Sequence, residues 1–306
     1  MKKLSIAIVN WNTKELLDNC LASILKSTNN IDYEIIVVDN ASTDDSIKML
    51  NEKYSSKIKI IQNNNNVGFA YANNQAFEMS FGEYFLLLNS DTICKENSLS
   101  ILCNFLDSNV NAGAAGPLTL NEDETLQYSW AKFPKIITEF KGIIDRSIIT
   151  YDGIITQPKQ LKDIGPFQAD WIGGACLLVK RQVIEQIGLM DTNLFMYSEE
   201  TDWCYRMRKV GWEIWVVPDS EIIHLGGRSS AQVPIQTMQR LADSKIKFFR
   251  KHYGLFSALL LRYLLTIKAL LKSLQNILLH KKNNYYEESK RQFKLAIHLL
   301  TGKTIL

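Results

Sequence analysis

The 306-residue chain lacks the glycine-rich phosphate-binding sequences of two large classes of nucleotide-binding protein. No GxGxxG follows the first apolar run, which argues against a dinucleotide-binding Rossmann domain, and no GxxxxGK[ST] occurs, which excludes a P-loop NTPase. The five cysteines, at positions 20, 94, 103, 176 and 204, show no CxxC spacing. Their pattern disfavours a disulfide framework and a structural zinc site, and it fits the reducing cytoplasm.

Charge is distributed unevenly along the chain. Residues 1–239 contain 21 Lys and Arg against 29 Asp and Glu, whereas residues 240–306 contain 14 against 3. We therefore expect two parts, a main domain over residues 1–239 and a basic helical tail over residues 240–306. A basic tail on an acidic body favours an anionic surface, membrane or nucleic acid, as the partner of the tail.

The tail lacks an uncharged run near the 18 residues or so that a bilayer-spanning helix needs. Its leucine-rich stretch is interrupted by Arg262, Lys268 and Lys272. On a helical wheel the polar residues fill one half of the circumference and the leucines fill the other. This amphipathic pattern favours a helix that lies in a membrane interface, with no role for nucleic acid. A helix folded back on the domain, or a contact that forms a homodimer, are the alternatives.

Short apolar runs alternate with amphipathic runs over the first ninety residues. The β-branched and leucine-rich runs at 4–9, 34–38, 58–61 and 84–88 predict buried strands. Asn12, with Glu15 three residues later, predicts the cap of the first intervening helix, and Ser42 or Thr43 predicts the cap of a second helix that ends near residue 54. This alternation predicts an α/β protein with a largely parallel sheet covered by helices on both faces.

Polar residues directly follow three of these strands. Asn10 follows the first, Asp39 the second, and the sequence Asn89-Ser90-Asp91 the fourth. In an open α/β sheet, ligands bind beyond the carboxyl ends of the strands, so these residues are predicted to line one site. Carboxylates and amides there suit a nucleotide whose phosphates are bridged by Mg²⁺ or Mn²⁺. The alternative is that the carboxylates cap helices.

Seven segments occur in an order that resembles family 2 glycosyltransferases of the GT-A fold, in the branch of bacterial rhamnosyltransferases. The resemblance spans roughly residues 4–235, and its segments are SIAIVNWN, IIVVDNASTDDS, NNVGFAYANNQA, LLLNSDT, DWIGGACLLVKR, LFMYSEETDWCYRMRKVGW and IIHLGGRS. It implies a Rossmann-like, mixed and mostly parallel sheet flanked by helices.

The resemblance also implies a set of residues that bind the donor nucleotide-sugar. The residues after the first two strands hold the base and ribose, and the NVGFAYANN segment closes over the nucleotide and the donor sugar. The implied donor-binding residues are Asn10, Asp39, Ser42, Asn66, Gly68, Asn74 and Asn89.

The NSD segment stands where this family carries its metal-binding DxD motif. Here the first position is Asn89, so the resemblance places the divalent metal, Mn²⁺ or Mg²⁺, on Asp91. The second implied ligand is His224. The alternative is that His224 has a structural role and binds no metal. Arg228, just beyond it, is expected to contact a phosphate of the donor.

The acidic segment SEETDWCYRMR matches the family's catalytic region. The family reads Glu-Asp where this chain has Glu199-Glu200, so the general base is implied at Glu200. Glu199, Asp170 and Trp171 are implied on the side of the acceptor or donor sugar. The alternatives are a solvated acidic helix start for the glutamates, and a core position for Trp171.

The implied enzyme is an inverting, metal-dependent hexosyltransferase. It would move a sugar, with rhamnose the expected one, from a nucleotide-diphospho-sugar to a hydroxyl of a lipid-linked or cell-surface glycan. It would be cytoplasmic and peripheral on the inner face of the cell membrane, in polysaccharide biosynthesis of the cell envelope. The alternatives are a nucleotidyltransferase acting on sugar phosphates and a non-catalytic nucleotide-sugar-binding protein.

Overall fold

The computed structural model describes residues 2–28, 31–144, 157–226, 234–278 and 283–302. The chain divides into two compact units, an α/β unit and a helical unit. The helix at Ile136–Ile144 groups with the C-terminal helices in the helical unit rather than with the α/β unit. The predicted boundary near residue 239 stays a prediction, and Arg228 lies outside the described residues.

The described residues form twelve strands, which range from two residues to the twelve of β12. They are β1 (Leu4–Asn10), β2 (Tyr33–Asp39), β3 (Ile58–Gln62), β4 (Tyr84–Asn89), β5 (Thr92–Cys94), β6 (Ala112–Leu120), β7 (Leu126–Gln127), β8 (Trp130–Ala131), β9 (Phe167–Gln168), β10 (Trp171–Ile172), β11 (Cys176–Lys180) and β12 (Glu213–His224).

The described helices alternate with these strands and then continue alone at the C-terminal end. They are α1 (Lys14–Ser27), α2 (Ser46–Lys53), α3 (Phe69–Glu78), α4 (Ser98–Ser108), α5 (Ile136–Ile144), α6 (Pro158–Ile164), α7 (Arg181–Ile187), α8 (Glu199–Lys209), α9 (Pro234–Leu278) and α10 (Asn283–Thr301).

The α/β unit is built on one mixed sheet in the order β3-β2-β1-β4-β11-β6-β12-β5. The first four strands are parallel, and β11 runs antiparallel between β4 and β6. The four predicted strands are confirmed, each longer than expected by one or two residues. Strands β1, β2 and β4 end side by side, because Asn10 pairs with Asp39 and Val9 with Asn89.

The core follows from the continuous apolar runs of the central strands. Leu4, Ile6 and Ile8 of β1 are fully buried beneath Leu17, Cys20, Leu21 and Ile24 of α1. These α1 residues are the stripe that its sequence spacing places on one face. Burial of whole strands on both faces is typical of a parallel sheet covered by helices.

The predicted helix caps are wrong. Helix α1 begins after Thr13 and α2 after Asp45, and neither receives a side-chain cap from the residue before it. Asn12 Oδ1 instead accepts a hydrogen bond from the Thr43 backbone N–H at 2.7 Å, and Ser42 Oγ accepts one from the Asn12 N–H at 2.9 Å. Two neighbouring loops thus use the capping side chains to bind each other, a long-range choice that local sequence cannot show.

The helical unit contains α5 and the hairpin of α9 and α10. Helix α9 is kinked at Gly254, whose φ of 86° interrupts the helical backbone. Beyond the kink the polar half of the predicted amphipathic helix faces α10: Ser273 Oγ lies 3.0 Å from Ser289 Oγ, and Arg262 donates to the Leu299 carbonyl. The exposed side is rich in leucine, with Leu278 85% accessible, although Leu261 and Leu264 are buried.

Candidate active site

Asn10, Asp39 and Ser42 form one buried hydrogen-bonded group at the ends of β1 and β2. Asn10 Nδ2 donates to Asp39 Oδ2 at 2.8 Å and to Ser42 Oγ at 3.0 Å. Asp39 Oδ1 accepts the Ser42 backbone N–H at 2.9 Å. Asn10 and Asp39 are both fully buried, so the group is rigid. No cationic side chain among the described residues forms an ion pair with the Asp39 carboxylate.

Two hydroxyls connect this group to the NSD segment, that of Ser90, which was predicted to line the site, and that of Thr13, which sequence reasoning missed. Thr13 Oγ1 donates to Asn10 Oδ1 at 2.6 Å and lies 2.8 Å from Ser90 Oγ. Ser90 is thereby tied to the end of β1, and the turn that carries Asn89 and Asp91 is positioned against the nucleotide-side group. The only sequence signal for Thr13 is its place just after a strand.

The loop before α3 is arranged by Asn66 and Gly68 together. Asn66 Oδ1 accepts the Gly68 backbone N–H at 3.0 Å, and Gly68 has a φ of 87° that favours glycine. A Cβ at Gly68 would lie 2.5 Å from the Phe195 carbonyl oxygen, which accepts the next backbone N–H, from Phe69, at 3.0 Å. This loop is therefore in direct contact with the chain segment that leads towards Glu199.

Asn74, Asp170 and Trp171 already make internal hydrogen bonds. The Asn74 amide donates to the Met190 carbonyl at 2.9 Å and accepts the Met190 N–H at 3.1 Å. Asp170 Oδ2 accepts the Phe133 N–H at 2.9 Å, and Trp171 Nε1 donates to the Lys132 carbonyl at 3.2 Å. Their predicted sugar contacts stay predictions; the observed contacts hold neighbouring loops.

Asn89, Asp91 and His224 meet where β4 ends and β12 ends. His224 Nε2 lies 3.2 Å from Asp91 Oδ1 and 3.2 Å from Asn89 Nδ2. The register explains this meeting, because His224 pairs with Thr92 and the Leu225 N–H donates to the Asp91 carbonyl at 3.0 Å. Among the described residues no group of three or more His, Cys, Asp or Glu surrounds a metal position, so the protein offers one carboxylate and one imidazole.

This donor set fits Mg²⁺ or Mn²⁺ bound together with a nucleotide. Such ions use one or two protein carboxylates and take further oxygens from substrate phosphates. The imidazole nitrogen suits Mn²⁺. Rotation of the Asn89 side-chain amide by 180° would place its oxygen there as a third metal ligand. The implied metal is therefore compatible with these residues, although no cage is complete without the substrate.

Glu199 and Glu200 begin α8, which packs against β10. Glu199 is 4% exposed, and its Oε2 is buried without a hydrogen bond from any described residue. Burial, and then the charge of Glu200, raise the pKa of Glu199 well above its usual range. Burial also raises the pKa of Glu200 to about 7, although its side chain keeps partial exposure. A carboxyl with that pKa suits proton transfer near neutral pH.

Arg206 holds helix α8 in place through bonds to the backbone near the end of α7. The guanidinium donates to Asp202, four residues earlier on the helix, at 2.9 Å. It also donates to the Ile187 carbonyl at 2.7 Å and the Leu189 carbonyl at 2.8 Å. The buried Asp202–Arg206 pair thus anchors the helix that carries both glutamates to the end of α7.

These contacts form one network that runs from Asp39 through Asn10, Thr13 and Ser90 to the turn with Asp91; Asn74, bonded to Met190, is not part of it. Among the described residues, no side-chain hydrogen bond links the two glutamates to that network; the hydrogen bond from the Phe69 N–H to the Phe195 carbonyl connects the loop before α3 to the segment that leads to α8. A model of glycosyl transferase family 2 matches residues 5–187, more than half of the chain.

The chain belongs to glycosyltransferase family 2. It is 25% identical to the N-acetylglucosaminyl-diphospho-decaprenol L-rhamnosyltransferase of Mycobacterium tuberculosis (strain CDC 1551 / Oshkosh), over 76% of this chain and 78% of the relative. It is 23% identical to the dTDP-rhamnosyl transferase RfbF of Shigella flexneri, over 97% of this chain and 95% of that protein. Among family 2 glycosyltransferases it therefore resembles rhamnosyltransferases.

Solved structures show the same fold. The mannosyltransferase PcManGT from Pyrobaculum calidifontis, in complex with GDP-Man and Mn²⁺, matches with a TM-score of 0.57 at 14% identity, over 98% of this chain and 86% of that chain. GalNAc-T7 with UDP, GalNAc and Mn²⁺ matches with a TM-score of 0.60 at 15% identity, over 99% of this chain and 56% of that chain. The predicted GT-A fold, with its mixed sheet flanked by helices and its C-terminal helix, is confirmed.

Proposed function

We propose that this glycosyltransferase is metal-dependent and inverting, and that it transfers rhamnose from a nucleotide-diphospho-sugar to a hydroxyl of a lipid-linked or cell-surface glycan. The observation that carries the proposal is the convergence of Asp91 and His224, 3.2 Å apart, beyond the strand ends that hold Asn10 and Asp39. The rhamnosyltransferase relatives support the choice of sugar, and the decaprenol-linked substrate in the name of one supports a lipid-linked acceptor.

Glu200 is the proposed base of a single displacement. Its carboxylate takes the proton of the acceptor hydroxyl while that oxygen forms a bond to the anomeric carbon of the donor. The bond from that carbon to the diphosphate oxygen breaks, and the nucleoside diphosphate leaves with the electron pair. Attack opposite the leaving group inverts the anomeric centre, and Glu200 ends protonated.

Asp91 and His224 are the proposed metal ligands, and Asn10, Asp39 and Ser42 hold the base and ribose. A bound Mn²⁺ or Mg²⁺ supplies neutralisation of the charge that develops on the leaving diphosphate. The buried Asn10–Asp39 group contributes a pre-ordered acceptor, whose position the Ser42 N–H fixes. The family match favours a transferase over a nucleotidyltransferase or a non-catalytic binding protein.

The test is transfer by the purified full chain from a panel of labelled nucleotide-sugars, including dTDP-rhamnose, to an N-acetylglucosaminyl-diphospho-polyprenol. We expect transfer with Mn²⁺, with an inverted anomeric configuration by NMR, and none with Asp91→Asn. Retention of configuration would refute the single displacement. Transfer from another nucleotide-sugar in preference to dTDP-rhamnose would refute the choice of donor.

We also propose that the α9–α10 hairpin binds an anionic membrane surface. Helix α9 is the one helix of the described chain that is long and apolar enough to cross a membrane by length and composition. Its ion pair with the neighbouring helix argues against crossing, because the half-exposed Lys272 pairs with Glu288 of α10 at 3.4 Å and α10 carries further charges. Its exposed apolar residues instead suit an interface; they are Leu255, Phe256, Leu259, Tyr263, Leu271, Leu274, Ile277 and Leu278.

Two substitutions one residue apart separate apolar insertion from charge. Leu274 is 57% exposed in the apolar set, and Gln275 is exposed beside it. Leu274→Glu and Gln275→Glu add the same charge, so we expect the first to reduce flotation with phosphatidylglycerol vesicles far more than the second. Equal effects would mean that charge alone binds the tail. A full chain that ignores vesicles but forms a dimer would make the hairpin a protein contact.

A further inference from the structure

The second ring nitrogen of His224 is held by a side chain that no motif identifies. His224 Nδ1 lies 2.7 Å from Gln127 Oε1. The same amide uses its nitrogen twice, because Gln127 Nε2 donates to the His224 backbone carbonyl at 3.1 Å and to Asn121 Oδ1 at 2.9 Å. Both of those partners are acceptors, so they fix which end of the amide faces the ring.

The amide orientation determines the tautomer of the imidazole. Since Gln127 Oε1 only accepts hydrogen bonds, Nδ1 must carry the ring proton for the 2.7 Å contact to form. The neutral ring then presents a lone pair at Nε2. That lone pair faces Asn89 Nδ2, a donor, and Asp91 Oδ1, an acceptor, each at 3.2 Å. His224 Nε2 and Asp91 Oδ1 are then two lone-pair atoms 3.2 Å apart, and such a pair favours a cation between or beside them.

We propose that Gln127 is a positioning residue, which fixes the Nδ1–H tautomer of His224 and so directs Nε2 to the divalent cation. The inference rests on the proposed metal dependence and assigns a role to a residue of the same site. Metal-binding histidines commonly donate their other ring N–H to an oxygen acceptor, and loss of that acceptor lowers metal affinity. A carboxylate or backbone carbonyl is often that acceptor; here it is a side-chain amide.

The fold delivers Gln127 by a short hairpin. Strand β7 has two residues and pairs antiparallel with β6, so that Gln127 lies opposite Thr119. The turn is closed by Asn121, whose N–H donates to the Thr125 carbonyl at 2.8 Å and whose side chain receives the Gln127 amide. His224 ends β12, which pairs with the other edge of β6. The two residues therefore meet across one strand although they are 97 positions apart.

Three variants test the proposal. Gln127→Leu removes both ends of the amide at similar volume. Gln127→Glu keeps an oxygen acceptor for Nδ1–H, and Asn121→Ala removes the second partner of the amide while leaving its contacts with His224. Nitrogen-15 NMR reports the ring tautomer in the metal-free full chain, where four histidines occur and His224→Asn assigns the relevant signals.

We expect the Nδ1–H form of His224 in the unaltered protein, Gln127→Glu and Asn121→Ala, and a mixture of both tautomers in Gln127→Leu. We also expect the affinity for Mn²⁺ in the presence of dTDP, followed by electron paramagnetic resonance, to fall about 10–100-fold in Gln127→Leu alone. A pure Nδ1–H ring with unchanged Mn²⁺ affinity in Gln127→Leu would overturn the inference. Failure of the unaltered protein to bind Mn²⁺ would instead overturn the proposed metal dependence, whatever the tautomer.

Discussion

Replacement of Glu200 by glutamine tests the proposed base through both rate and stability. Glutamine keeps the shape of the side chain and removes its ability to accept a proton. Burial moves the pKa of Glu200 from its ordinary value of 4.5 to about 7. Because each tenfold change in acidity corresponds to 1.36 kcal/mol, the ionised form is disfavoured in the folded protein by about 3 kcal/mol.

The rate should depend on the ionised form. Transfer by the unaltered enzyme should rise with pH through about 7, as Glu200 loses its proton. Glu200→Gln should lower the rate by about 10²–10⁴-fold and remove that dependence, while binding of dTDP measured by calorimetry stays the same. If Glu199→Gln is the inactive variant and Glu200→Gln remains active, the base is Glu199 and the assignment is off by one residue.

The free energy of unfolding should fall over the pH range in which the rate of transfer rises. Between pH 4.5 and 7 the folded chain holds a proton on Glu200 that the unfolded chain has lost, so the free energy of unfolding falls as pH rises through that window. Glutamine has no such dependence. Glu200→Gln should therefore match the unaltered protein near pH 4.5 and exceed it at pH 8 by up to about 3 kcal/mol.

The measurement is thermal unfolding at both pH values, followed by calorimetry. For a unit of this size each kcal/mol moves the midpoint by about 2–4 °C, so the expected gain at pH 8 is several degrees. Glu78→Gln, the same change at an exposed position, is the control. A gain of equal size at both pH values, or none at pH 8, would refute the reasoning from burial.

Three further variants address the rest of the site. Asp91→Asn, or excess EDTA with the unaltered protein, should abolish transfer; full activity with chelator would exclude a metal role. Gly68→Ala puts a Cβ 2.5 Å from a backbone oxygen, whereas Gly165→Ala meets nothing within 4 Å at a similar φ, so Gly68→Ala should lower the unfolding midpoint more. Arg206→Ala should cost about 3–5 kcal/mol of stability because it removes the cation from buried Asp202, and adding Asp202→Asn should restore part of that loss in denaturant titrations.

The sequence alone determined the frame of the catalytic unit. Runs such as 4–9 and 84–88 are almost entirely apolar, with Ser5 the one exception in the first, and short runs of this kind indicate strands that are buried on both faces. Polar residues that directly follow such strands must lie at one edge of a parallel sheet, which is why Asn10, Asp39 and Asp91 could be predicted to lie near one another. The i, i+4 pair of Asp202 and Arg206 is equally local.

Tertiary structure decided the contacts between distant segments. Ser42 and Asn12 were expected to cap their own helices, but each binds the neighbouring loop, because the loops that follow β1 and β2 leave adjacent strand ends. Gln127 meets His224 only because β6 lies between their strands. No spacing in the sequence contains that information.

The tail shows the same division most clearly. Its alternation of polar and leucine faces is encoded locally, and the helix formed as the pattern predicts. Which face turns outward depended on a second helix, α10, whose Ser289 and terminal carbonyls offer hydrogen bonds to Ser273 and Arg262. Ser273 is buried together with its partner there, and Arg262 is half-buried, while leucines such as Leu274 and Leu278 remain exposed and Leu261 and Leu264 are buried.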